Sequence, residues 1–342
     1  MAPGGMGVRR QVDVTGPPGS NLTPSQAGTA GGGPAPGDLG AWVSPGHQRF
    51  AASPQMLNWL TTVSTKTKPP DPPEVRPRSF QDFVKLVERQ QLKVGGPLWF
   101  RGVGRSAYKL LPTLYRHRSL RTVEALESLE RNLMMRFQQR SIPFLTRTLA
   151  DNWDCLFFMQ HYGIPTRLLD WTENPFIGLY FAIMSSSFSG KVTKGKAVLS
   201  FSSDAALWIL DPIAWNRHAL RLQRFDRGIL TPSDEALQSY KPLTRFPDMN
   251  VHPVAIYGAH NSPRIVAQRG AFMIFGQSTQ GMDDTYVAEI FPAACLLKVV
   301  LERDVLPSMR ASVLRNGITE SVVFPDLDGL SREIKRDFEF EY

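Results

Sequence analysis

The chain has 342 residues, 42% hydrophobic and 20% charged, which is enough apolar matter for a substantial core and excludes a wholly disordered polypeptide. Lys and Arg outnumber Asp and Glu by 39 to 31, for a formal net charge of +8. These cations are spread along the chain rather than gathered in runs, which argues against a wide nucleic-acid stripe and leaves a fixed anion site as the natural use of the excess. Arg also outnumbers Lys, and its planar fork suits phosphate or carboxylate. The two cysteines, Cys155 and Cys295, lie far apart in apolar surroundings. They exclude a disulfide framework and metal-ligand spacing, and read as buried thiols of a reducing compartment. The longest apolar stretch, Pro175 to Met184, is too short to span a bilayer, and the N-terminus lacks a charged-then-apolar leader pattern. A cytoplasmic protein without a membrane partner is expected.

Residues 1–75 are rich in Gly, Pro, Ser, Thr and Ala, as in Gly31-Gly32-Gly33-Pro34-Ala35-Pro36-Gly37. Such a segment buries too little apolar area to offset its ordering entropy, so disorder is expected to about residue 50. Met56-Leu57-Asn58-Trp59-Leu60 reads as a short helix, and Lys68-Pro69-Pro70-Asp71-Pro72-Pro73 as a stiff linker. From there a single compact domain is expected over residues 76–342. Ser79 caps a helix carrying Phe80, Phe83, Val84 and Val87 at helical spacing. Leu98 to Gly102 reads as a strand, and Val123, Leu126, Leu129, Leu133, Met134 and Phe137 mark a long amphipathic helix. Asp151 caps the next helix, which runs into His161, and Pro175 begins a buried helix to about Ser186. The span 211–250, rich in Pro, Arg and Asp, reads as an insertion or mobile loops. Strands are expected at 197–201, 254–257, 272–275, 286–290 and 296–301, and helices at about 304–316, stopped by Gly317, and 328–338. The predicted class is α+β, with a mostly helical N-terminal half, mostly antiparallel strands in the C-terminal half, and one polar cleft.

The cleft is expected around Met159 to Thr172. There Gly163 offers a left-handed helix stop, and Pro165 forbids continuation. His161, Tyr162, Thr166, Arg167, Asp170 and Trp171 fall within a few positions of one another. An apolar core has no use for so many polar groups, because each costs a few kcal/mol if buried unpaired. The segment is either one wall of a polar pocket or an internal Arg167–Asp170 salt bridge beneath a loop.

Three motifs in order resemble the FRG domain family, named for a Phe/Tyr-Arg-Gly motif. They are Trp99-Phe100-Arg101-Gly102, then His161 to Thr172, then Gly317-Ile318-Thr319-Glu320 with Phe324-Pro325-Asp326-Leu327-Asp328-Gly329. The resemblance covers roughly residues 79–335 and leaves the N-terminal tail outside. It carries no assigned activity with it.

Arg101 ends an apolar strand beside Gly102, where glycine permits either the close approach of a ligand or a tight turn. It is an anion contact or the partner of a structural carboxylate such as Asp170. Arg105, Ser106, Tyr108 and Lys109 follow and offer further contacts or a solvated surface. His161 can act as acid, base or hydrogen-bond donor, or be a satisfied structural residue. Gln268, beside Arg264 and Gly270, lines the pocket or satisfies loop backbone. Glu320 is a functional carboxylate or an exposed helix cap. There is no Walker loop, no nucleophile elbow and no zinc spacing, and no metal is expected.

Two readings stay open. In the first, the order of an early strand Arg, a middle aromatic-polar segment and a late Glu is similar to that of Arg–Ser–Glu ADP-ribosyltransferases, with NAD as substrate. Arg101 and Arg167 then hold the pyrophosphate, and Tyr162 or Trp171 packs on nicotinamide. His161 holds the adenosine ribose, while Glu320 stabilises an oxocarbenium-like transition state. In the second, the same cleft, with Arg101 and Arg167 as anchors and Tyr162, Thr166, Asp170 and Gln268 beside them, binds without turnover, as a sensor or effector module tethered by the N-terminal tail. Its ligand is a nucleotide, another phosphate-bearing small molecule or a nucleic-acid end.

Overall fold

The computed structural model describes residues 71–118, 122–145, 147–193, 196–258 and 262–340. The tail expected to be disordered and the short helix at 56–60 lie outside these residues. The structure begins earlier than Ser79. The end of the Pro-rich linker is taken up by the sheet as β1 (Glu74–Val75), beside which the Pro73 carbonyl accepts from Lys298 N.

Helix α1 (Phe80–Val94) starts where its cap predicts, with the Ser79 hydroxyl accepting from Asp82 N. Strand β2 (Trp99–Val103) and the long helix α2 (Val123–Ser141) follow. Helix α3 (Asn152–His161) is capped by Asp151 and leads to β3 (Leu168–Thr172). The intervening turn uses Gly163 at φ 74°, the left-handed conformation that a side chain disfavours. Helix α4 (Pro175–Met184) has Asn174 as its cap and proline in its first turn. Strands β4 (Phe188–Thr193) and β5 (Lys196–Phe201) form a separate two-stranded hairpin.

The rest of the chain alternates more than its sequence suggests. It runs through β6 (Ala205–Leu210), α5 (Pro212–Ala219), β7 (Val254–Ile256), α6 (Pro263–Gln268), β8 (Gly270–Ile274), α7 (Met282–Ala288) and β9 (Leu296–Leu301). Helices α8 (Leu306–Arg315), α9 (Glu320–Val323) and α10 (Leu327–Asp337) close it. All described residues fall in one compact unit.

The main sheet has seven strands in the order β1-β9-β6-β2-β3-β8-β7, and every pairing but β1 with β9 is antiparallel. The α+β class holds, although β2 and β3 come from the helix-rich half. Trp99, Leu169, Trp171 and Trp208 pack into a core on one face, with Trp215, Phe246 and Phe275. Phe100, Leu207, Ile209 and Val299 pack on the other, against Phe83 of α1, Ile183 of α4 and Met309 of α8. A third cluster gathers Trp153, Phe157 and Met159 of α3 against β7 and β8.

Two expectations are corrected. The segment at 286–290 is the end of helix α7, followed by a turn at Ile290 with φ 53°. Asp283 and Asp284 favour a helix start there, and this outweighs the β-propensity of Tyr286 and Val287. In the segment 211–250, expected as an insertion or mobile loops, several residues are packed into the core, against the loop half of that expectation. Trp215, Leu237, Tyr240 and Phe246 are fully buried, the Trp215 indole donates to Pro253 O, and Asn216 Nδ2 donates to Ala255 O.

Candidate ligand-binding cleft

Strand β2 is paired with β6 along its whole length, from Trp99 opposite Leu210 to Val103 opposite Ala206. With β3 it pairs only through Phe100 opposite Thr172. Beyond that point the two strands diverge, and a cavity of about 360 Å³ occupies the fork. Its walls are Arg101 to Gly104 of β2 and the residue after it, Asp170 to Thr172 of β3, Gln160 and His161 of α3, Arg264, Ile265 and Gln268 of α6, and Gly270 and Phe272 of β8. Phe181 and Ser185 contribute from α4 and its end, and Tyr108, Lys109 and Arg116 from the loop after β2.

The Phe-Arg-Gly motif divides its work by the alternation of a strand. Phe100 is fully buried against α4. A Cβ on Gly102 would stand 2.1 Å from Gly178 O and 2.2 Å from Ala182 N, so glycine is required for helix α4 to lie directly on β2. The close approach foreseen at Gly102 is therefore that of a helix and not of a ligand. Arg101, between them, turns into the fork. Its Nη1 donates to the Asp170 carbonyl at 2.5 Å, while its buried Nε has no hydrogen-bond partner among the described residues. Burial pulls the pKa of this guanidinium down; Asp170 raises it and Arg116 lowers it further.

The charges of the cleft are uneven. Arg101, Arg116 and Arg264 face it, with Asp170 as the only carboxylate among the lining residues. Lys109 is already engaged, with Nζ 2.9 Å from Asp283 and 2.7 Å from Asp284. Arg264 lies over the Phe324 ring at 4.7 Å, and Arg332 covers the same ring at 4.2 Å. Burial lowers the Arg264 pKa, against the raising effect of Asp170 and Asp326. His161 Nδ1 sits 3.3 Å from Ser262 Oγ. Its pKa is lowered by burial first and by Arg264 second, and raised by Asp326.

Of the residues expected at the site, Arg101, His161, Asp170 and Gln268 meet in this cavity. Gln268 spends its amide on the chain, donating from Nε2 to Val323 O at 3.0 Å. The others are placed differently. Arg167 is fully buried behind β3. There its Nε donates to Glu130 at 2.8 Å, Nη2 to Tyr240 O at 2.5 Å and Nη1 to Phe275 O at 3.1 Å. It pairs with neither a ligand nor Asp170, because three residues along an extended chain reverse the face. Tyr162 is exposed beside the turn, its ring edge-on to His161, and is not a lining residue. Thr166 is buried and acts through Gln160, whose Oε1 accepts from its hydroxyl at 2.5 Å. Glu320 does not face the cavity. It is 3% exposed, and its Oε2 accepts from Arg336 Nε of α10 at 2.9 Å.

Arg116 and Phe324 were missed as site residues. Arg116 ends a 3₁₀ turn, Leu114–Arg116, after the buried Leu114 and Tyr115, and belongs to no motif that would mark it. Phe324 lies in the third motif, after Val322-Val323, where a ring beside apolar neighbours reads as core. That motif buttresses the cleft from outside, through the ring under Arg264 and the Val323 carbonyl that holds Gln268.

Among the described residues no three His, Cys, Asp or Glu are grouped to hold a metal, and no helix is long and apolar enough to cross a membrane. The thiols of Cys155 and Cys295 are buried, which pushes their pKa values up to about 11 and about 12. No curated protein and no solved structure matches the chain. A family model, described as FRG domain, matches residues 96–190. The match takes in both β2 with its Phe-Arg-Gly motif and the His161–Thr172 segment, and stops short of Arg264, Gln268 and the third motif. The two strands that diverge to form the cleft are thus the matched part, and the chain carries an FRG domain.

Proposed function

We propose that the cleft binds a phosphate-bearing small molecule. The carrying observation is the set of three guanidiniums, Arg101, Arg116 and Arg264, that face one cavity with a single carboxylate. Such a surplus is costly to gather without an anion to receive it, since like charges in a partly desolvated site repel. Arg forks match phosphate oxygens bidentately, and the volume of about 360 Å³ suits a small ligand at the lower end of the usual pocket range. Titration with pyrophosphate tests this by calorimetry or by thermal shift. Binding should be saturable and weakened about tenfold or more in Arg101→Ala and in Arg264→Ala. Absence of pyrophosphate binding by folded wild-type protein would overturn the reading. A polynucleotide that binds with a steep salt slope while pyrophosphate does not would transfer the site to nucleic acid.

A second reading, glycosyl transfer from NAD, keeps the same phosphate anchors and needs a carboxylate in the cleft. Asp170 is favoured for it over Glu320, which is engaged with Arg336 outside the cavity. Release of nicotinamide from NAD, abolished in Asp170→Asn and retained in Glu320→Gln, is the outcome this reading requires.

A further inference from the structure

Asp170 stands in a cavity rich in guanidinium, yet among the described residues it makes no ion pair with any of them. Arg101 takes its main-chain carbonyl instead. Within β3 it is the one exposed residue between buried neighbours, and its exposure is to the cavity. Its carboxylate is held from behind. Gln160 Nε2 donates to Asp170 Oδ2 at 2.8 Å, and Gln160 Oε1 accepts from the Thr166 hydroxyl. The direction of this chain is set by the carboxylate. An ionised Asp170 can only accept, so the Gln160 NH₂ faces it and Gln160 Oε1 takes the Thr166 proton, while Thr166 Oγ1 accepts from Leu168 N at 3.1 Å. A neutral amide orients the carboxylate without neutralising it. Among the described residues Oδ1 has no hydrogen-bond partner.

From this geometry we infer that Asp170 is a hydroxyl-recognising carboxylate and that the ligand is a nucleoside phosphate, its phosphates on Arg101, Arg116 and Arg264 and its ribose diol on Asp170. The inference rests on the phosphate-binding reading above and adds the sugar to it. A simple anion gains nothing from Asp170 and is weakened by its charge, whereas a vicinal diol offers two donors to an acceptor-only group beside the phosphate anchors. Tyr108, half exposed at the rim, offers a face on which a base can stack. Gln160 and Thr166 are positioning residues, acting only through the carboxylate.

The test compares pyrophosphate, ADP and 2′,3′-dideoxy-ADP on the full chain. Wild-type protein should prefer ADP over its dideoxy analogue by about tenfold to a hundredfold, the value of one or two hydrogen bonds to a charged acceptor. Asp170→Asn, nearly isosteric, should bring that ratio close to one while pyrophosphate binds as well or better, because a repelling charge has gone. Gln160→Met leaves the carboxylate in place but unheld, and should give an intermediate ratio. A merely structural Asp170 would lower all three affinities together. Equal binding of ADP and the dideoxy analogue by wild-type protein overturns the inference; if both are weakened in Arg101→Ala, the phosphate site survives it. If none of the probes binds folded protein, the phosphate reading falls and this inference with it.

Discussion

Arg101 on β2 and Arg167, the residue before β3, both donate to main-chain carbonyl oxygen, and they do opposite things. Arg167 has a carboxylate, Glu130, and the carbonyls of Tyr240 and Phe275, with no exposed surface. Arg101 has one carbonyl, a buried Nε without a partner among the described residues, and a cavity in front of it. The first guanidinium is satisfied by the protein and ties α2, the segment before β7 and the end of β8 to β3. The second is held but not satisfied. Residue type and local sequence do not separate them; the number of partners the fold supplies does.

The largest expected effect breaks the buried member of the pair. Arg167→Ala leaves Glu130, 2% exposed, as an uncompensated charge and strands two carbonyls, for a loss of about 3–5 kcal/mol. Chemical denaturation should show the unfolding free energy falling by that amount, or the chain failing to fold. Arg101→Ala should change stability by no more than about 1 kcal/mol, near the net worth of one hydrogen bond. A denaturation midpoint equally sensitive at both positions would erase the contrast.

Glu320 sharpens the comparison from the other side. It belongs with Arg167 and not with Arg101, since Arg336 takes its Oε2 and its exposure is 3%. Glu320→Gln should cost about 1–3 kcal/mol by weakening a charged hydrogen bond between α9 and α10. Pyrophosphate affinity should be unchanged in the folded variant. Arg101→Ala reverses the pattern, with affinity for pyrophosphate down about tenfold or more for the loss of a charge-assisted contact, and a nearly unchanged melting temperature without ligand.

What could be read from the sequence follows the same division. Helix starts were legible because capping is local: Ser79 and Asp151 each bond an amide three residues on. Strand β6 was not, because Ala205-Ala206-Leu207-Trp208-Ile209-Leu210 is buried throughout and shows no alternation to betray a strand. Yet β6 lies beside β2 and holds its register. Arg101, His161 and Asp170 could be gathered into one cleft from their motifs, whereas Gln268, outside them, read equally as a pocket or a loop residue. The true neighbours of Arg167 and Glu320 could not, since Glu130 and Tyr240 are remote in sequence and Arg336 lies a helix further on. The exclusion of an Arg167–Asp170 pair was available in principle. Once Leu168–Leu169 is read as a strand, residues 167 and 170 must face opposite ways.

The smallest effect concerns His161, which joins the two regimes because it is partly buried and also faces the cavity. Burial and Arg264 hold its pKa below the ordinary histidine value of about 6.5, with Asp326 opposing them. The unfolded chain therefore takes up this proton first as pH falls. Stability from the neutral ring is fully present above about pH 6.5 and is lost as the pH drops through the depressed folded value. A bound anion reverses the preference, since a protonated imidazole beside Arg264 adds positive charge where the anion sits. Sulfate is the suitable probe, its charge being constant over this range. Between pH 7.5 and 5.5 the free protein should lose stability while sulfate affinity rises, and His161→Asn should flatten both slopes. Equal slopes in wild type and His161→Asn would place the titrating group elsewhere and leave His161 a packing residue of α3.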